Sequence, residues 1–248
     1  MAMATRSPRT ARPRVDRRAG PGYHLTLRIP RRILVLLPLL AACAARSAPP
    51  PGPPDPASAR AAVEATEPRR TVQLLFDWNL RERDARFSGR GVARVQPPYR
   101  ARLDLFGPRG EGYLTAALVG GDLRLPPAVQ NAPVPPPPLL WSALGVLWPP
   151  PGAELLATQR DGEVLRLEYA KGAERWRYRL EGGRLLYAEW LPAEGGRHTV
   201  ELRHGDGDGP PREARYRDWA AYVELVLVLD SVEDVEAFPP DIWTPHAP

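Results

Sequence analysis

From Phe87 onward, apolar and polar positions alternate with the two-residue period of a half-buried strand. Phe87-Ser88-Gly89-Arg90-Gly91-Val92-Ala93-Arg94-Val95 alternates toward its end, and Tyr99-Arg100-Ala101-Arg102-Leu103-Asp104-Leu105-Phe106 does so throughout. Gly107-Pro108-Arg109-Gly110 then supplies turn residues, and Gly112–Val119 returns as a third strand. The pattern predicts further strands at Glu154–Arg160, Val164–Ala170, Arg175–Glu181, Leu185–Leu191, Thr199–Arg203 and Glu213–Arg217, and a last one from Val223 to about Val235. Short turns join them, at Asp161-Gly162, Lys171-Gly172, Gly182-Gly183 and Gly195-Gly196. Connections this short fit antiparallel neighbours, because parallel pairs need long crossovers. Strands such as Leu165-Arg166-Leu167-Glu168-Tyr169 have one wet and one apolar face, which predicts a large antiparallel sheet of about nine to eleven strands.

Two regions read as helical. Ala57 to about Asp77 contains Ala59, Ala62, Val63 and Ala65, with Ser58 as a candidate cap and Pro68 as an interruption, followed by a short second helix through Val72, Leu74, Leu75 and Phe76. Between proline clusters, Leu139 to Trp148 carries apolar residues at 140, 141, 144 and 147–148. That spacing fits a short helix, apolar on nearly every side, packed as a plug or lid on the sheet. In chain order the strands should neighbour one another except near this helix.

The first 60 residues have a different character. Arg31-Arg32, the run Ile33 to Leu40 and then Leu40-Ala41-Ala42-Cys43 form a basic segment, a short apolar core and small residues at a cut site, the parts of a secretory signal. The run is about half of the roughly 20 residues a membrane-spanning helix needs. The tetrapeptide is similar to a bacterial lipobox, which implies diacylglyceryl on Cys43, cleavage before it and acyl anchoring in a membrane. The alternatives are an ordinary signal peptide holding a cysteine, and export through the twin-arginine route. The expected organisation is a signal peptide at 1–42, a lipidated N-terminus with a proline-rich tether at 43–56, and one domain at 57–248. Pro49-Pro50-Pro51-Gly52-Pro53-Pro54 favours extended polyproline conformations, which suit a tether. Ala44 lacks the aspartate that retains some lipoproteins at an inner membrane, so the expected location is the outer membrane, facing the periplasm.

Charge alters the picture once it is divided. The whole chain has a net +5, but residues 1–42 hold nine arginines and one aspartate, leaving the remainder at −3. The domain thus lacks the basic excess that nucleic acid requires. With Cys43 the only cysteine, no thiol remains for disulfides, metal or nucleophilic chemistry. His24, His198, His204 and His246 have no metal-ligand spacing and read as solvated. Gly205-Asp206-Gly207-Asp208-Gly209 lacks the frame of a calcium loop and reads as a flexible connection. No serine stands in GxSxG, and no glycine-rich phosphate loop occurs. The expectation is a protein that is not an enzyme and has no cofactor or metal. Trp78, Trp141, Trp148, Trp176, Trp190, Trp219 and Trp243 offer core packing or walls for an apolar cavity.

Several segments together resemble LolA/LolB-like outer-membrane lipoproteins. Tyr99 to Leu114 is similar to that family's hairpin, a strand of alternating apolar residues running into a Gly/Asn-Pro-x-Gly turn. Trp78 with Gly89–Val95 resembles its opening strand, Leu139–Pro149 its internal helix, and Phe238-Pro239-Pro240-Asp241-Ile242-Trp243 its closing segment. The resemblance implies a mainly β fold, a single curved antiparallel sheet forming an unclosed half-barrel with covering helices. It also implies binding of lipid or lipoprotein acyl chains and a role in lipoprotein localisation. Candidate cavity walls are Leu103, Leu105, Leu114, Trp141, Leu144 and Trp176, with Pro108 and Arg109 in a membrane-facing turn. Arg109 occupies the place where LolB carries an exposed leucine; a cation there meets headgroups but enters hydrocarbon only at a cost of a few kcal/mol. The expected partners are the membrane, through the anchor, and a lipid or lipoprotein cargo bound by a monomer. The competing reading is a structural or assembly lipoprotein that engages protein partners and has no ligand cavity.

Overall fold

The computed structural model describes residues 52–127 and 134–245, which lie within one compact unit, Pro50–Pro248. Cys43, the expected signal and His246 fall outside the described residues. Twelve strands form a single antiparallel sheet among the described residues. In chain order these are β1 (Val72–Glu82), β2 (Ala85–Gln96), β3 (Arg100–Phe106), β4 (Gly112–Val119), β5 (Asp122–Arg124), β6 (Glu154–Asp161), β7 (Val164–Lys171), β8 (Glu174–Glu181), β9 (Arg184–Leu191), β10 (His198–Arg203), β11 (Glu213–Asp218) and β12 (Val223–Asp234). Helix α1 spans Pro56–Thr66, α2 spans Pro137–Ala143, and a 3-10 turn covers Pro240–Trp243.

The strand order is β5-β4-β3-β2-β1-β12-β11-β10-β9-β8-β7-β6. Two meanders, β1–β5 and β6–β12, are therefore joined side by side through β1 and β12. The free edges, β5 and β6, do not pair, so the sheet is not closed. The chain between those edges contains α2. Sequence neighbours are thus sheet neighbours everywhere except across the helical segment.

The segment from Val72 to Phe76, expected to be helical, is the start of β1, the strand that joins the two meanders. Leu74, Phe76 and Trp78 face the core while Asp77 and Asn79 are exposed, a period of two that the run Leu74-Leu75-Phe76 obscures. Pairing on both edges supplies each backbone group with a partner, and that outweighs the weak local preference. Phe76 lies over Gly91, where an added Cβ would come within 2.3 Å of the ring, and Trp78 lies opposite Gly89. The Trp78 indole N–H donates to the carbonyls of Arg90 and Phe106, each at 3.0 Å. The short strand β5 also differs from expectation; three residues are too few for a period to show.

Helix α1 stops before Pro68, but its cap is Asp55 and not Ser58. The Asp55 carboxylate accepts from the backbone N–H of Ala57 and Ser58 and from the Ser58 hydroxyl. From Gly52 the chain lies against β6, where the Asp55 N–H donates to Thr158 Oγ1 at 2.9 Å. No helix among the described residues is long and apolar enough to cross a membrane.

Two apolar clusters fill the inner face. One gathers β7–β11 with α1 and includes Leu167, Tyr178, Leu180, Leu185 and Val200; the other gathers β1–β4 and includes Leu74, Phe76, Trp78 and Leu105. Helix α2 and the turn after it serve both, Leu139 and Leu147 packing in the first, Trp141 and Val146 in the second. A fully buried leucine stabilises the fold by about 1.5–3 kcal/mol, so this short segment, capped by no side chain, is held by what it buries. The outer face carries ion pairs: Arg94 and Arg102 on Asp104, Arg177 and Arg197 on Glu189, Arg217 on Glu201 and Glu224.

Candidate functional site

Alanines set the shape of the inner face beneath α2. The inward positions of β2, β3 and β4 include Ala93, Ala101 and Ala116, where a sheet core usually carries larger β-branched residues. Across the ladder Ala93 faces Leu103, Leu103 faces Ala116, and Ala101 faces Leu118. Small beside large leaves a depression, and α2 spans it with Leu139, Leu140, Ala143 and Leu144. The result is an almost wholly apolar cavity of about 50 Å³. A water needs about 10–15 Å³ by this measure, whereas sites for small-molecule ligands run to about 300–1,000 Å³. The cavity has room for a few water-sized groups, and a larger occupant would require α2 to shift.

The lid has few polar ties. The Trp141 indole N–H donates to the Gly120 carbonyl at 2.8 Å, and the Leu147 N–H donates to Thr66 Oγ1 at 2.9 Å. The Ser142 hydroxyl, fully buried, donates within the helix to the Pro138 carbonyl. Gly145 ends the lid at φ +83°, and an added Cβ would stand 2.9 Å from Pro211. Both facts require glycine there.

A second, smaller void of about 30 Å³ shares Ala93, Ala143, Leu144, Ala214 and Leu227 with the first. It shares Leu74, Leu144, Pro210 and Pro211 with an open hollow of about 610 Å³ beside the C-terminus of α1. The two voids and the hollow thus lie side by side, divided by shared walls that include Leu144, in a line toward the end of the sheet where β1 begins.

Of the six expected wall residues, Leu103 and Leu144 line the cavity. Leu105 and Trp141 are buried in the adjoining cluster, with Leu114 packed against it. Trp176 belongs to the other cluster, on β8, and is stacked on Trp190 at 5.3 Å. Leu225, Leu227, Ala214 and the three strand alanines were missed as lining residues. The legible signal was alanine at inward strand positions. Pro108 and Arg109 lie in the β3–β4 turn, where the Arg109 N–H donates to Glu111.

The histidines differ from their solvated reading. His198 is stacked between Trp190, at 4.7 Å, and Tyr216, and its Nδ1 lies 3.0 Å from the Tyr216 hydroxyl. Burial holds its pKa below the usual value, partly offset by Asp218. His204 Nε2 donates to the Leu185 carbonyl at 2.7 Å. Burial raises the Tyr169 hydroxyl to about 12 and raises Tyr216, beside the cavity, as well. Both phenols are neutral at physiological pH. Among the described residues no group of three His, Cys, Asp or Glu side chains is placed to hold a metal.

No protein-family model matches this chain. No curated protein matches its sequence either. Solved structures do match its fold. A LolA superfamily protein from Nitrosomonas europaea superposes with a TM-score of 0.50 at 15% identity, over 75% of this chain and 97% of the other. A domain described as an outer membrane lipoprotein-sorting protein, from Vibrio parahaemolyticus, gives 0.49 at 12% identity over 74% and 94%. A DUF1329 family protein from Desulfovibrio piger gives 0.48 at 10% identity over 77% and 98%. With its unclosed antiparallel sheet and inner helix, the chain has the LolA/LolB-like fold.

Proposed function

We propose that this chain is a lipid-anchored protein of the cell envelope that binds an acyl chain, of a lipid or of a lipoprotein, between α2 and the sheet. It acts as a carrier or receptor and not as an enzyme, and it takes part in moving lipoproteins or lipids at the outer membrane. The observation that carries this reading is the alanine-lined apolar cavity under a lid held mainly by apolar contacts. Lifting α2 would join the voids beneath it into one channel, with little polar surface to desolvate.

Saturable binding of a fluorescent fatty acid to the purified chain tests the reading. Leu144→Glu places a carboxylate where the voids meet, and it is expected to weaken binding at least tenfold while the circular dichroism spectrum stays that of the parent. A parent protein that binds no acyl probe and carries no lipid would leave the structural or assembly role as the better account.

The anchor is assigned to Cys43, with 1–42 removed and the tether expected at 43–56 shortened to the residues before Gly52, since Gly52 to Pro56 belong to the fold. Cys43→Ala is expected to release the protein from the membrane fraction; an unchanged mass and partition in that variant would remove the anchor from this account. The β3–β4 turn with Pro108 and Arg109 is assigned to the membrane side.

A further inference from the structure

The large apolar side chains that this fold leaves exposed are concentrated toward one end of the sheet. Tyr222 is 77% exposed, Trp219 48%, Phe87 41%, Tyr113 40% and Phe106 37%, whereas elsewhere the exposed set is Leu156, Val228 and Val232. Phe87 begins β2, and Trp219 and Tyr222 belong to the β11–β12 turn. Tyr113 and Phe106 flank the β3–β4 turn. The registers bring the β1–β2 and β11–β12 turns together, because Glu82 pairs with both Ala85 and Val223, while the β3–β4 turn is set back toward the middle of the sheet, Phe106 pairing with Arg90. Phe87 and Tyr113 touch, their ring centroids 5.8 Å apart. The Arg83 N–H donates to the Tyr222 carbonyl, which ties the β1–β2 turn to the β11–β12 turn. Both residues have positive φ, 50° at Arg83 and 57° at Tyr222. An aromatic residue rarely adopts that conformation, and here it leaves the ring in solvent.

We propose that this aromatic rim rests in the headgroup layer of a phospholipid bilayer, with Tyr222, Trp219 and Phe87 as its contacts. Trp and Tyr favour that layer because an apolar ring and a polar N–H or O–H are both satisfied there. Trp219 is built for such a boundary: Arg197 and Arg217 each lie 5.5 Å from its ring, and its indole N–H donates to Thr199. Both arginines are held beside the ring by their own carboxylates, Arg197 by Glu189 and Arg217 by Glu201 and Glu224, which fixes the indole at the edge of the fold. The chain leading into the fold is consistent in length. Eight residues, or nine steps along the chain, separate Cys43 from Gly52, which lies against Thr158 on β6. At about 3.1 Å per residue they reach about 28 Å, about the length of an eight-residue strand, so an anchor at Cys43 reaches a bilayer under the rim. The proposal rests on the membrane-anchored reading, but it moves the bilayer contact from the arginine-tipped β3–β4 turn to the aromatics of two other turns.

The test uses the full chain reconstituted in vesicles of phosphatidylethanolamine and phosphatidylglycerol, with and without lipids brominated near the headgroup. Bromine quenches indole at contact, and the part due to Trp219 is the difference between the parent and Trp219→Phe. Quenching of Trp219 is expected, falling at least twofold in a Tyr222→Ser, Phe87→Ser variant. Val232→Ser, an equally exposed apolar site at the opposite end, should leave it unchanged. Flotation of the same samples separates the two levels of failure. Protein that floats with an unquenched Trp219 overturns the rim contact and directs the aromatics toward a partner protein. Protein that does not float overturns the rim contact and the anchored reading together.

Discussion

His198 shows how a single side chain can tie the stability of this sheet to pH. Its ring stacks between Trp190 and Tyr216, and burial, opposed only in part by Asp218, keeps its pKa below the ordinary value of 6.5. The unfolded chain therefore takes up a proton at a higher pH than the folded one, and stability falls as pH drops below about 6.5. The contribution is fully present above that value. Urea midpoints measured from pH 7.5 to 5.5 are expected to decline in the parent and to decline less in His198→Phe, which keeps a ring in the stack. A slope unaltered by the substitution would assign the acid sensitivity elsewhere. The sequence contained no sign of this, since an isolated histidine at the start of a strand looks the same whether solvated or stacked. What distinguishes the cases is the register that aligns Trp190 with His198, which long-range pairing sets.

Among the elements, the outer face of β2–β4 is joined to the C-terminal segment by Asp104. Its carboxylate accepts from Arg94 at 2.6 Å, from Arg102 through Nε and Nη2, and from the Thr115 hydroxyl, while Arg102 also donates to the Ile242 carbonyl. Removing the buried carboxylate deprives two partly exposed arginines and a threonine of their shared acceptor, which costs about 1–3 kcal/mol. Asp104→Ala is expected to destabilise the chain by that amount in chemical denaturation. Arg90→Ala, at a well-exposed pair with Asp77, should change it by less than about 1 kcal/mol. Equal effects of the two would show that the buried network is no better coupled than a surface pair. Legibility divides along the same line. Strands with a clean period of two, such as β3 and β8, could be located from residue order alone, and so could the apolar helix between proline clusters. That helix nevertheless ends at Ala143, and residues 144–148, expected to continue it, turn at Gly145 and run on without helix. β1 could not, because Leu74-Leu75-Phe76 masks its period and its partners are remote. The cavity was only half legible: Leu103 and Leu144 stood out as apolar residues on a strand and a lid, whereas the alanines opposite them announce space by what they lack. Trp176 drew attention by size, but it packs in the other half of the core.

For the whole molecule, the pairing of β1 with β12 sets the order in which the fold can be completed. Gln73 and Glu233, hydrogen-bonded across that seam, are 160 residues apart in the chain. The other neighbours in the sheet, apart from this pair, are consecutive strands. Ten of the eleven pairings can therefore form locally as the chain emerges, and the eleventh must wait for the end of the chain. Closing so large a loop is slow, since its entropy is spent before its contacts are gained. Until it closes, β1 has an unpaired edge and the inner face of the first meander has no opposite wall. An open strand edge beside exposed leucine and tryptophan is a site for pairing with the wrong chain. The last strand is thus the one that covers the open edge of β1. Deleting β12 is expected to leave the β1 edge open and to raise aggregation, read by light scattering, above that of the parent.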